Sequence, residues 1–191
     1  MGIQRIVKCG LIGGFILFVW GAVSWTVLPW QKAQINTFED ESDVRSAIRN
    51  NIKGSGLYVL PNLNAYANNP DKLADAKARM IEGPYATIAV TANGRNPSMV
   101  GSAIASLIVK IISACLVTWL LLKTTLPLHY NSSIKFITVV GIVIAIATTI
   151  PYVIWFGFPG AFAIGAMIEI VFGWFFASLA IARILERPHK H

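Results

Sequence analysis

A membrane all-α bundle of four transmembrane helices, with a small extracytoplasmic α/β insertion between the first and second, is the fold class this sequence predicts. Three observations predict it. Hydrophobic residues make up 55% of the chain and charged ones only 13%, about half the charged share of a soluble domain, with a mean hydropathy of +0.60. Four apolar stretches are each long enough to cross a bilayer, since ~20 residues rising ~1.5 Å each cover a hydrocarbon core of ~30 Å. The stretch 31–98 between the first two is polar and holds seven of the nine acidic residues.

Residues 1–30 are read as the N-terminal transmembrane helix. Arg5 and Lys8 precede CGLIGGFILFVWGAVSWTVLPW, which ends at Pro29. A signal peptide opens in the same way, and Ala22 and Ser24 could be the small residues of a cleavage site. The apolar run is long for a signal peptide and continues through Trp25, Val27 and Leu28, so retention is expected. Trp20, Trp25 and Trp30 gather toward its far end, where indole rings favour the water interface. Gly10 and Gly14 form a GxxxG and Gly21 follows one heptad later, a pattern that permits close helix approach.

Residues 31–98 are expected to form an extracytoplasmic α/β segment. Asp40 or Ser42 can cap a helix running to about Ile52, with Val44, Ile48 and Ile52 as one apolar stripe, ended by Gly54 and Gly56. The run LYVLP (57–61) predicts a short strand. Asn69 and Pro70 begin a helix that ends near Gly83, and PYATIAVTA predicts a second strand stopping at the Asn93-Gly94 turn. Two short strands and two short helices make too thin a core for independent stability, so the segment is expected to rest on the outer ends of the membrane helices.

Residues 99–191 carry three further spans and a basic cytoplasmic tail. The second span, MVGSAIASLIVKIISACLVTWLLL (99–122), has Lys110 near its middle, and a connection with Pro127 and His129 follows. The third runs from about Phe136 to Trp155. The uncharged turn FGFPG (156–160) leads to the fourth, from about Ala161 to Ala182, and then come Arg183, Arg187 and Lys190. Basic residues cluster at the N-terminus, in the 123–135 connection and in the tail, while the 156–160 turn has none. The positive-inside rule puts both termini in the cytoplasm and 31–98 outside.

The formal net charge of +7 sits mostly at the ends of apolar stretches and in connections, where topology explains it and nucleic-acid binding does not. Cys9 and Cys115 lie in apolar stretches and say nothing of a redox compartment. His129, His189 and His191 have no Cys or acidic cluster beside them, so no metal and no cofactor is expected. HExxH, GxSxG and GxxxxGK[ST] are all missing, so no catalytic residue is assigned and an enzyme is not expected. The run Glu39, Asp40, Glu41, Asp43 lacks EF-hand spacing, and negative charge complementing a helix N-terminus accounts for it better than a bound cation. The EGPYATIAV run could offer an edge strand to a partner, but a strand of its own hairpin is the simpler expectation.

Two ionisable side chains lie deep inside apolar stretches, Lys110 and Glu169. An ammonium in lipid costs ~3 kcal/mol or more and needs a partner or a watery cavity. Ala103, Ser106, Lys110, Ser113, Ala114 and Val117 share one helix face, and Gly165, Glu169, Gly173 and Ala177 share another, so each charge is on a packing face. Counted from Met99 and Ala161, the two lie at depths of ~16 and ~12 Å, and they are expected to pair. The pair could fix helix register or form a proton- or ion-responsive site, with Thr148 and Thr149 as neighbours at similar depth; register is the simpler reading, because one pair makes no continuous polar path.

At FVWGAVSWTVLPW (18–30), GLYVLPN (56–62) and EGPYATIAV (82–90) the chain resembles an uncharacterised family of small bacterial inner-membrane proteins with an N-terminal span, a polar segment and three further spans. The resemblance implies a bacterial inner membrane and supplies no catalytic residue. Two classes of function remain. One is a non-enzymatic scaffold or partner subunit, whose partners are the bilayer and a protein or a second copy. The other is a small oligomeric carrier or channel-like protein that uses Lys110 and Glu169.

Overall fold

A computed structural model describes residues 2–125 and 129–186, apart from the side chains of 31 and 32. Pro127 and the tail from Arg187 onward lie outside the described residues. The chain is mostly helical: α1 (Ile3–Thr26), α2 (Pro29–Lys32), α3 (Glu41–Asn51), α4 (Pro70–Glu82), α5 (Val100–Lys123), α6 (Tyr130–Phe156) and α7 (Gly160–Leu185), with strands β1 (Gly56–Leu60) and β2 (Ala86–Val90). Four helices, α1, α5, α6 and α7, are long and apolar enough to cross a membrane. At 24 to 27 residues each they reach ~36–40 Å, which fits a multi-pass membrane protein.

The chain divides into two compact units. The first comprises Met1–Ile35, Ser98–Pro151 and Pro159–His191, and the second Asn36–Pro97 with Tyr152–Phe158. The 31–98 segment thus takes the last residues of α6 and the following turn into its unit, a membership that only tertiary packing reveals.

In the first unit α1 is the central helix, because its glycines let two neighbours come close. A Cβ on Gly14 would fall 2.5 Å from the Cα of Ile111, and one on Gly10 would collide with the Cys115 thiol. On the other side a Cβ on Gly13 would lie 2.7 Å from Cδ1 of Ile181, and Gly173 of α7 meets Leu17 and Trp20. Contacts that climb α1 descend both α5 and α7, so α1 is antiparallel to each. Gly141 of α6 receives Trp174 of α7 in the same manner, with the would-be Cβ 2.5 Å from that of Trp174. Leu17, Val117, Leu121, Ile137, Ile181 and Leu185 fill the buried centre. Leu11, Phe15, Ile108, Ile112, Val143 and Ile146 point outward, as lipid-facing side chains do.

Element boundaries shift from the sequence reading for local reasons. The first helix starts at Ile3, so Arg5 and Lys8 are helical, and it ends at Thr26 rather than Pro29. Pro29 instead opens the four-residue turn α2, suited to a first helical position by its fixed φ and missing N–H. Pro151 stands inside α6, where it deprives the Ala147 carbonyl of its helical donor.

In the second unit the caps are those the sequence signals. Asp40 accepts from the Asp43 amide at the start of α3, and Asn69 accepts from the Lys72 amide with Pro70 following. Hydrogen bonds from the Asp43 amide, the larger cause, and from Ser42 hold the Asp40 carboxyl below its ordinary pKa. The strands pair antiparallel, Tyr58 opposite Ile88 and Leu60 opposite Ala86, so β2 is a strand of its own hairpin and, in a two-stranded sheet, pairs along one edge only. A short 3-10 turn, Leu63–Tyr66, packs beside α4, whose Ala76 is fully buried. Gly157 has φ +69 and a would-be Cβ 3.0 Å from the Tyr85 ring, so glycine is needed there both for conformation and for space.

Gly14→Ala should lower stability in detergent by ~1–3 kcal/mol, because the methyl meets backbone that cannot turn away. Gly101, which has nothing within 4 Å of a would-be Cβ, should accept alanine without loss. Thermal unfolding of the two variants checks this, and equal melting temperatures would contradict so tight a crossing.

Candidate functional site

The polar centre of the first unit is built on Gly21. In a helix the Leu17 carbonyl accepts the Gly21 amide and keeps a second lone pair. With no side chain at Gly21 that carbonyl is open to the side, and the Lys110 ammonium donates to it at 3.0 Å. The place a Gly21 Cβ would occupy lies 2.6 Å from Lys110 Nζ and 3.3 Å from Glu169 Oε1. One glycine therefore makes room for an ammonium from α5 and a carboxylate from α7.

Glu169 is held by α1 and α2. Its backbone carbonyl accepts from the Trp20 indole N–H at 2.9 Å, and its Oε2 accepts a longer bond, 3.4 Å, from the fully buried Ser24 hydroxyl. Ser24 in turn accepts from the Trp30 indole N–H at 3.0 Å. The Trp20 ring is wedged on Phe176, 5.0 Å between centroids, and near Phe172 at 6.2 Å. Two indoles and one hydroxyl thus fix the height and orientation of the carboxylate.

Lys110 and Glu169 line one cavity of about 170 Å³, walled by Leu17, Ser113, Ile144 and Trp174 among others. Such a volume takes a few water molecules, each needing ~30 Å³, or a small polar guest. The arrangement can hold opposite charges in apolar surroundings and pass a proton to bound water. Among the described residues no group of three or more His, Cys, Asp or Glu side chains could hold a metal ion. The cysteines are free: Cys9 is buried and the Cys115 thiol donates to the Ile6 carbonyl at 3.7 Å.

The structure brings Lys110 and Glu169 to one cavity and leaves the threonines off it. Thr149 is buried with its hydroxyl on the Ala145 carbonyl, and Thr148 donates to the Ile144 carbonyl at 2.7 Å. Ile144 is the wall that α6 gives the cavity. Sequence reasoning missed Trp20, Ser24, Trp30 and Trp174. A signal for Ser24 existed: Gly10, Gly14, Leu17, Gly21 and Ser24 follow a continuous alternation of four and three, the period of a helix seam. Trp20 and Trp30 carried no signal that separates a half-buried donor within the bundle from an interfacial ring.

No protein-family model, characterised protein or solved structure matches this chain.

Ser24→Ala should cost ~1–3 kcal/mol, since it strands the Trp30 indole and removes a donor from Glu169. Unfolding in detergent measures it, and an unchanged midpoint would mean that the Trp30, Ser24 and Glu169 chain adds nothing to the fold.

Proposed function

We propose that this chain is a non-enzymatic component of a bacterial inner membrane, a scaffold or partner subunit, in which Lys110 and Glu169 lock the register of three helices. One observation carries the reading: each charge ends on a neighbouring helix at a glycine contact, Lys110 on the Leu17 carbonyl and Glu169 on Ser24. A charge tied to backbone and to a buried hydroxyl suits holding helices together better than handing an ion along a path. The partners are then the bilayer and a protein or a second copy of the chain, as the resemblance to small inner-membrane proteins also implies. The cavity supports a second reading, a small oligomeric carrier, in which four spans from each copy enclose a path past Lys110 and Glu169.

A double-mutant cycle separates the readings. Lys110→Met and Glu169→Gln should each destabilise by up to ~3–5 kcal/mol through the charge left behind, and the double variant should regain part of the loss. Additive losses would overturn the lock. pH-dependent flux in liposomes, abolished by Glu169→Gln, would favour the carrier instead.

The orientation that goes with this reading has both termini in the cytoplasm and residues 31–98 in the periplasm. It is supported by Arg5 and Lys8 at the start of α1, Lys123 at the end of α5, Lys135 near the start of α6 and Arg183 at the end of α7. With α1 antiparallel to α5 and α7, Arg5, Lys8, Lys123 and Arg183 lie toward one end. A reporter active only in the periplasm should be silent when fused after His191, and activity there would reverse the orientation.

A further inference from the structure

The second unit holds a groove that its own fold leaves open. It has a volume of about 600 Å³ and runs between α3 and the end of β2. Phe38, Val44, Ile48, Ile52 and Val90 make its apolar surface. No residue of α3 is buried, although Val44, Ile48 and Ile52 form a continuous stripe, and Phe38 is 65% exposed. An amphipathic helix normally covers such a stripe with its own core. Here the stripe faces a slot within the ~300–1,000 Å³ range of small-molecule sites.

The rim gives the occupant its charge. Arg45 and Arg49 line the groove one helical turn apart, both exposed, and neither guanidinium has a hydrogen bond or ion pair among the described residues. Two free forks on successive turns suit a carboxylate, which takes charge-assisted bonds from arginine in a bidentate manner. Glu41 also lines the groove, one turn before Arg45, so the anionic end belongs toward Arg49.

We propose that the groove between α3 and the end of β2 binds a fatty acid, with its carboxylate on Arg49, assisted by Arg45, and its alkyl chain against the apolar lining at Ile48 and Ile52. An unbranched alkyl chain leaving a carboxylate held beside the stripe can lie against Ile48 and Ile52. This assignment is independent of the scaffold reading, since it uses no residue of the first unit.

The test uses the full chain in nanodiscs of phosphatidylcholine, with dansyl-undecanoate as probe and empty nanodiscs as the partition blank. A saturable fluorescence rise is expected, displaced by laurate and not by dodecanol. Arg45→Gln with Arg49→Gln should weaken it about tenfold, as expected for the loss of charge-assisted bonds. Both side chains are exposed and unpaired, so this variant should keep the wild-type circular dichroism. Ile48→Asp should abolish the saturable part. Equal displacement by dodecanol, unchanged binding in the double-arginine variant, or displacement by an acidic apolar peptide but not by laurate would overturn the proposal.

Discussion

The approach of α1 to α5 is the constraint on which the bundle depends. Lipid tails are as apolar as leucine, so burial from water cannot drive one spanning helix against another, and contact depends on packing and on polar bonds. Gly10 and Gly14 remove the side chains that would hold α5 away, Gly14 so completely that the Ile111 backbone occupies the space. Only at that separation does the Lys110 stem reach the Leu17 carbonyl, and only with glycine at position 21 is that carbonyl uncovered. The glycines and the lysine are one device: the first set the distance at which the second can be satisfied. Glu169 adds α7 to it, since its carboxylate approaches the same place beside Gly21 that the Lys110 ammonium does.

Much of this was legible in the chain. Charge in an apolar stretch is conspicuous, and counting residues from each span's start puts Lys110 and Glu169 within a few ångströms in depth. The GxxxG at Gly10 and Gly14 marked the face of α1 that others approach. What the sequence could not supply was the choice of neighbour. Periodicity tells which side chains share a face and is silent on what that face meets, so Thr148 and Thr149 were expected near the charges, whereas their hydroxyls turn back to Ile144 and Ala145 of their own helix. Trp20 and Trp30 fit the pattern of interfacial indoles, yet each N–H is spent on orienting Glu169, directly or through Ser24. Trp25, between them in sequence, is 42% exposed and does have the exposure of an interfacial ring.

The polar segment was legible in a different manner. Caps act over three residues, so Asp40 and the Asn69-Pro70 pair announce their helices without help from the rest of the chain. The β1 and β2 runs likewise pair with each other and need no third strand. The inclusion of Tyr152–Phe158 went unseen, because it depends on packing between parts distant in sequence, whereas the 3-10 turn at Leu63–Tyr66 had a local signal in Asn62, which caps it. Gly157 shows the limit well: a glycine in FGFPG says turn, and only the Tyr85 ring beside it explains why no larger residue fits.

The two units solve opposite problems with the same few residue types. In the first, apolar surface is plentiful and needs no shelter, so the scarce polar groups are drawn inward and tied to one another around Gly21. In the second, charged residues are plentiful, and it is the apolar stripe of α3 that its own unit leaves half-covered beside an open slot. Arg45 and Arg49 sharpen the contrast with Lys110. The half-buried ammonium has its acceptor supplied by the fold, whereas the two guanidiniums stand on a rim with their donors unspent by any described residue. A cation whose acceptor is built in stabilises the molecule that contains it; cations without one, placed at the mouth of an apolar slot, supply the chemistry for holding something from outside.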